Sequence, residues 1–139
     1  MKKNSLQLIN EALSEYNKRY NTSFNLLSKY PLFPKERECG YNVSWPGNNH
    51  AGVYFVMTKD DEILYVGQSK NIGKRLNDHF PPQNKGLSKI CTFKEKWRKD
   101  PNYLYVATTP NDAIWERLSL EEFLIQKLNP IDNTQGKND

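Results

Sequence analysis

Two tyrosines beside glycines are the first residues in the chain with the chemistry of a polar site. Gly52 precedes Tyr54 by two positions, and Gly67 follows Tyr65 by two. Because side chains alternate along a strand, each tyrosine shares a strand face with its glycine. Two phenols over such small neighbours predict a polar-lined hollow, although tyrosines in a hairpin are also ordinary strand formers.

An arginine and a histidine follow at helical spacing. Arg75 and His79 are four residues apart, so they share one face of a helix. An arginine fork can bind a phosphate oxygen bidentately, and a histidine can pass a proton or orient water. The pair therefore favours phosphate chemistry, although a surface Arg/His pair at this spacing also arises by chance.

One glutamate lies in an unusual place in the last predicted helix. At about 100° per residue, Glu121 falls at the centre of an apolar stripe. The stripe consists of Ile114, Leu118, Leu124, Ile125 and Leu128. A lone acid there is costly to desolvate unless it is paired or binds a metal. A metal site and a buried salt bridge to an Arg or Lys are the two interpretations.

The elements that position these residues follow from apolar periodicity and turn residues. The pattern predicts three strands, at 52–58, 63–67 and 103–107. It also predicts three helices: one begins at residue 4 or 5 and ends at 20, one begins between 69 and 71 and ends at 80, and one begins between 109 and 112 and ends at 128. The order β-β-α-β-α predicts an α+β fold with a small three-stranded antiparallel sheet flanked by helices. We expect an N-terminal helical and loop extension at 1–49, a catalytic module at 50–133 and a polar tail at 134–139.

Size and composition limit the class of protein. The chain has 139 residues and 16.3 kDa, with 37% hydrophobic and 12% aromatic residues, which predicts one folded core. It contains no run of about 18 apolar residues and no signal-peptide pattern, so we expect a cytoplasmic protein. Cys39 and Cys91 are far apart, and this excludes a disulfide framework or a structural zinc site.

The net charge of +4 is unevenly distributed. Residues 1–61 carry +2, residues 62–100 carry +5 and residues 101–139 carry −3. The basic middle predicts a cationic face for a polyphosphate backbone, or else an ordinary solvated surface. The candidate nucleic-acid-binding residues are Gly67, Gln68, Lys70, Lys74, Lys94, Lys96, Arg98 and Lys99.

Taken together, these residues resemble the GIY-YIG nuclease family. The resemblance rests on five elements in order across residues 52–133. These are Gly52-Val53-Tyr54, Tyr65-Val66-Gly67, the 69–76 segment with Arg75 and then His79, Glu121 with Leu124-Ile125, and Asn129-Pro130 with Asn133. Each tripeptide has Val where the family name has Ile. A tripeptide alone is weak evidence, whereas all five elements at fitting distances are strong evidence.

The resemblance implies a divalent-metal-dependent DNA endonuclease that hydrolyses phosphodiester bonds. It implies that Glu121 holds one Mg²⁺ or Mn²⁺ and that Tyr54 is the general base, with a phenol acidified by nearby positive charge. Tyr65 would hydrogen-bond the phosphate or the water, and Arg75 would bind the phosphate. His79 would orient the nucleophile or share the proton, and Asn133 would hold the site together from outside it.

The chain departs from the family pattern at one position of the second motif. Many members have a lysine directly after the second tripeptide, where this chain has Gln68. The extra histidine that some members carry before the third strand is also missing. A non-catalytic nucleic-acid-binding module or regulator that keeps the fold is therefore the alternative function, and a protein-interaction domain is a third.

Several properties of the expected enzyme stay open at this stage. The strandedness of the DNA is not determined, and cutting both strands with one site per chain would favour a homodimer or sequential nicking. The N-terminal extension has three interpretations: contact with DNA, pairing of two subunits, or packing over the sheet.

Overall fold

The computed structural model describes residues 3–32, 45–80, 82–85, 88–91, 97–110 and 112–133. Cys39 and the predicted polar tail lie outside these ranges. The helices are α1 (Ser5–Tyr20), α2 (Ile72–His79) and α3 (Glu116–Leu128). The strands are β1 (Tyr30–Pro31), β2 (Gly52–Met57), β3 (Ile63–Ser69), β4 (Pro82–Lys85), β5 (Ser88–Cys91) and β6 (Tyr103–Thr108).

The main sheet is antiparallel, with strand order β1-β6-β2-β3. The predicted α+β fold and its three strands are confirmed, and the short β1 adds a fourth strand beside β6. A separate two-stranded hairpin pairs β4 with β5. Every residue of β2 is buried, as expected for an inner strand covered on both faces.

One face of the sheet packs against α1 and α3. Asn4 caps α1 in a capping box with Gln7, so the helix begins where its sequence predicts. The two helices and this sheet face share one hydrophobic cluster, which includes Ile9, Leu13, Tyr16, Val53, Phe55, Val66, Leu120 and Leu124. The N-terminal helix therefore packs over the sheet.

The other face of the sheet packs against α2. Asn71 caps this helix by accepting a hydrogen bond from the backbone N–H of Lys74. The cluster on this side consists mainly of Trp45, Tyr54, Val56, Ile72, Leu76, Phe80, Leu104 and Val106. The candidate catalytic tyrosines lie on this face.

A β-bulge shifts the register of the β2–β3 hairpin. Val56 pairs with Tyr65, but Met57 pairs with Ile63, so Leu64 is an extra residue on β3. Beyond the bulge, Tyr54 pairs directly with Gly67. Because cross-strand partners point to the same side of a sheet, Tyr54, Tyr65 and Gly67 share one face.

The start and the buried face of α3 differ from the prediction. The helix begins at Glu116 rather than at 109–112. The preceding chain instead forms two successive turns, in which the Ala113 N–H donates to the Pro110 carbonyl and the Glu116 N–H donates to the Ala113 carbonyl. The predicted stripe is also displaced, since Ile114 and Leu118 are 37% and 50% exposed. The buried residues of α3 are Arg117, Leu120, Leu124 and Ile125.

Candidate active site

A buried tyrosine and histidine form the centre of the site. The Tyr54 hydroxyl and His79 Nε2 are 2.7 Å apart in a hydrogen bond, and the two side chains are only 1% and 3% exposed. Strand β2 supplies the tyrosine, and the last residue of α2 supplies the histidine. A proton on Nδ1 of the ring would leave Nε2 free to accept the phenol proton.

Gly67 makes room for the Tyr54 ring. A β-carbon at this position would lie 2.3 Å from Tyr54 Cζ, 2.4 Å from its hydroxyl oxygen and 2.8 Å from Tyr65 Cε2. These distances are far below van der Waals contact, so no other residue fits without moving a ring. The glycine of the second tripeptide therefore has a steric role, whereas the sequence suggested nucleic-acid contact.

Burial makes the Tyr54 phenol harder to ionise. Loss of solvation raises its pKa above the usual value, and the neighbouring Tyr65 adds to the rise. A hydrogen bond from Arg75 and its positive charge oppose the shift but do not reverse it. The expected acidification of Tyr54 is therefore not found in the chain alone.

Arg75 lies one turn before His79 on α2, as the spacing predicts, and it is partly buried. Burial lowers the pKa of its guanidinium, but the hydrogen bond to Tyr54 and the negative charge of Asp78 contribute to a net rise. Arg75 therefore stays positively charged beside the Tyr54 hydroxyl. A phosphate oxygen bound there would lie next to the Tyr54–His79 pair.

Aromatic rings surround the pair. The Tyr65 ring centroid lies 6.2 Å from that of Tyr54 and 5.8 Å from that of His79. Trp97 contacts both Tyr65 and His79 with centroids 5.6 Å away, and it stacks on Phe80. The Trp97 indole nitrogen is buried and has no hydrogen-bond partner among the described residues. Trp97 is therefore a wall of the site.

Asn133 supports the site through the backbone of β3. Its Oδ1 accepts a hydrogen bond from the Val66 N–H, and its Nδ2 donates one to the Val66 carbonyl, both at 2.8 Å. Val66 lies between Tyr65 and Gly67 on a strand at the edge of the sheet. The amide thus takes the place of a neighbouring strand, as expected for a residue that holds the site from outside.

Glu121 is half-buried on α3 and has no ion-pair partner within the described ranges. Loss of solvation raises the pKa of its carboxyl group, the positive charge of Arg117 opposes the rise, and the charge of Glu122 adds to it. The salt bridge, one of the two interpretations, is thus not found among the described residues. A carboxylate that lacks a cation partner could serve as a ligand for a divalent ion, and the ion would balance its charge.

The donor set fits one weakly held hard cation. In the part of the chain that the structure describes, no three His, Cys, Asp or Glu side chains form a group that could hold a metal. Mg²⁺ commonly keeps several waters and takes one or two carboxylates together with substrate phosphate. Glu121 together with a bound phosphate would meet that requirement.

The predicted nucleic-acid-binding residues have different environments. Lys70 and Lys74 are exposed at the start of α2. Arg98 and Lys99 form ion pairs, with Asp132 at 3.5 Å and with Glu62 at 2.7 Å. Gln68 accepts a hydrogen bond from Arg117 Nε at 2.8 Å. Lys94 and Lys96 lie outside the described residues.

Comparison with known proteins identifies the family. A family model described as the GIY-YIG catalytic domain matches residues 50–138. The chain belongs to the GIY-YIG family. The matching curated proteins include UvrABC system protein C from Francisella tularensis subsp. holarctica (strain OSU18) and from F. tularensis subsp. novicida (strain U112). Each is 32% identical over 90 residues, which are 65% of this chain and 14% of the relative.

The matched stretch thus spans only a small part of those relatives. In the present chain, none of the helices in the described ranges is long and apolar enough to cross a membrane. The two GIY-YIG signature tripeptides lie on the paired strands β2 and β3, where Tyr54 of the first is directly opposite Gly67 of the second. The number of residues between the two tripeptides therefore matches the pairing of β2 with β3 in the hairpin.

Two residues that contact the candidate site residues were not identified from the sequence, Trp97 beside His79 and Arg117 bonded to Gln68. Trp97 lies within the basic run that suggested nucleic-acid contact, and nothing in its spacing marked it as a ring partner of His79. Arg117 precedes Glu121 by four residues, which places both on one face of α3. That spacing is the signal that would have found Arg117.

Proposed function

We propose that the protein is a divalent-metal-dependent DNA endonuclease that hydrolyses phosphodiester bonds at the Tyr54–His79 pair. The observation that carries the proposal is this buried hydrogen bond of 2.7 Å, with Arg75 beside it, in a chain that belongs to the GIY-YIG family. A phenol and an imidazole in contact provide a proton relay, and the guanidinium provides a phosphate site.

In this mechanism Arg75 binds a non-bridging oxygen of the scissile phosphate and stabilises the charge that develops there. The Tyr54 oxygen accepts a proton from the attacking water while its own proton passes to His79 Nε2. Such a concerted transfer avoids a free phenolate, which the raised pKa of Tyr54 makes costly. Tyr65 hydrogen-bonds the phosphate or the water from the neighbouring strand.

Glu121 is the residue that would hold Mg²⁺ or Mn²⁺, and Asn133 keeps β3 in place. When bound, the ion would supply charge neutralisation at the phosphate and stabilisation of the leaving oxygen. The half-buried carboxylate on α3, which forms no ion pair within the described ranges, supports this role. The substrate class, DNA, rests on family membership together with exposed cations such as Lys70 and Lys74.

The alternative function is a nucleic-acid-binding module or regulator without catalysis. It is motivated by Gln68, which replaces the lysine of many family members and whose amide oxygen is bound to Arg117. This alternative predicts salt-dependent binding of DNA with no strand cleavage under any divalent ion.

Cleavage of circular DNA by matched glutamate variants tests the proposal. Supercoiled plasmid and single-stranded circles would be incubated with wild type, Glu121→Ala and Glu122→Ala, in Mg²⁺, Mn²⁺ or EDTA. Glu122 is the exposed neighbouring carboxylate and serves as the control. We expect metal-dependent cleavage by wild type and Glu122→Ala, and none by Glu121→Ala.

Two results would contradict the proposal in different ways. Cleavage retained by Glu121→Ala would remove the assigned metal ligand. Binding of DNA by wild type without cleavage in any metal would support the non-catalytic module instead.

A further inference from the structure

We propose that Arg117 is a second phosphate-binding residue of this site, which contacts the DNA backbone next to the scissile phosphate. The inference rests on the proposed function. Arg117 is a buried cation on α3, one turn before Glu121, and it is 7% exposed. The charge of a buried arginine requires a partner, so the groups around it determine its role.

Two hydrogen bonds fix the guanidinium. Arg117 Nε donates to Gln68 Oε1 at 2.8 Å, and Nη1 donates to the carbonyl of Ile114 at 2.6 Å. These acceptors hold the plane of the group but are neutral, so they do not balance its charge. Within the described residues, no carboxylate lies within ion-pair distance of Arg117.

The remaining nitrogen, Nη2, donates no hydrogen bond within the described part of the chain. Since it is not one of the buried side-chain atoms without a partner there, it is open to solvent. A guanidinium with one edge anchored and another edge available matches a bound phosphate oxygen. An incoming anion would therefore complete both the charge and the hydrogen bonding of Arg117.

The position of Arg117 relates it to the catalytic residues. Gln68 pairs with Val53, so its side chain and Arg117 lie on the face of the sheet that α3 covers, opposite Tyr54. Glu121, one turn after Arg117 on the same helix, is close enough to Tyr54 for its charge to raise the pKa of that phenol. Arg117 also affects the ionisation of Glu121, so its charge is near the proposed metal ligand. Gln68 thus holds an arginine from α3 against the edge strand of the sheet.

The salt dependence of DNA binding separates a phosphate contact from a purely structural bridge. Affinity of fluorescein-labelled single-stranded and duplex oligonucleotides would be measured by anisotropy in EDTA over a range of salt concentrations. The slope of log K against log salt is negative, and loss of one phosphate contact reduces its magnitude by about 0.9 for duplex and about 0.7 for single strands. We expect this decrease in Arg117→Gln and retention of the slope in Arg117→Lys.

Arg19→Gln is the matched control, because Arg19 is an exposed arginine paired with Glu15 on α1. It removes the same charge without approaching the site, and its slope should equal that of wild type. Arg117→Met provides a second charge-free variant of similar length should the glutamine variant unfold.

Two outcomes would overturn the assignment, and they are distinguishable. A folded Arg117→Gln or Arg117→Met protein with lower thermal stability and an unchanged slope would make Arg117 a structural bridge between β3 and α3. Absence of DNA binding by wild type at every salt concentration would refute the proposed function itself, together with this inference.

Discussion

Substitution of Gly67 by alanine tests whether the position of the Tyr54 ring controls the chemistry. The added β-carbon would lie 2.3 Å from Tyr54 Cζ, whereas ordinary contact begins at 3.4 Å. The ring must therefore move by roughly 1 Å. It has no free space, since Tyr54 is fully buried and bonded to His79.

The expected effect on the activation barrier is similar in free energy to the effect on folding, which a domain with about 5–15 kcal/mol of stability tolerates. Overpacking of a well-packed core costs about 1–3 kcal/mol of stability. A displacement of about 1 Å in a catalytic group lowers the rate by about 100-fold, which corresponds to about 2.7 kcal/mol in the activation barrier. Gly67→Ala should therefore fold and lose most of its cleavage activity.

The assay compares plasmid nicking rates in Mg²⁺ with thermal unfolding of the same samples. Val53→Ala is the control, because Val53 is buried on the opposite face of β2 and does not line the site. It should lower stability to a similar extent, by about 1–3 kcal/mol, and keep its nicking rate. A Gly67→Ala rate within twofold of wild type, or an equal loss in Val53→Ala, would refute the steric argument.

Two further predictions concern stability alone. Asn133→Ala leaves the N–H and carbonyl of Val66 without their partner, at about 1–3 kcal/mol for each buried group; urea unfolding should show this loss, and an unchanged midpoint would contradict it. Glu121→Gln should stabilise the metal-free protein at neutral pH, because burial raises the pKa of Glu121 above 4.5 and wild type loses stability as pH rises through it. Thermal unfolding in EDTA should show no difference below about pH 4, and an equal difference at every pH would exclude ionisation as the cause.

The predictable part of the fold is the part specified by local sequence. The capping residues Asn4 and Asn71 and the 3.6-residue periodicity identify α1 and α2. Two short apolar runs on either side of the charged turn at 59–62 identify the central hairpin. Strand β1 contains only Tyr30–Pro31 and exists because its backbone pairs with β6. Such a strand depends on tertiary contacts, so its sequence carries no period that would reveal it.

The site was predictable in its residue types but not in its surroundings. Tyr54, His79 and Arg75 lie together as the motif implies, while their catalytic roles stay predictions. The raised pKa of Tyr54 was not predictable, because desolvation depends on the whole packed environment. The same holds for Trp97, which is distant in sequence from the rings that it contacts.

A single set of contacts supports the site from both sides. The backbone N–H of Arg98 donates to Asp132 Oδ2 at 3.1 Å, and its guanidinium also bonds the carbonyl of Ile131. Trp97 precedes this arginine and covers His79, while Asn133 follows the aspartate and holds the backbone of β3. Trp97 and Asn133 are thus linked through the contact between their sequence neighbours, Arg98 and Asp132. Loss of the Arg98–Asp132 contact should therefore affect both together.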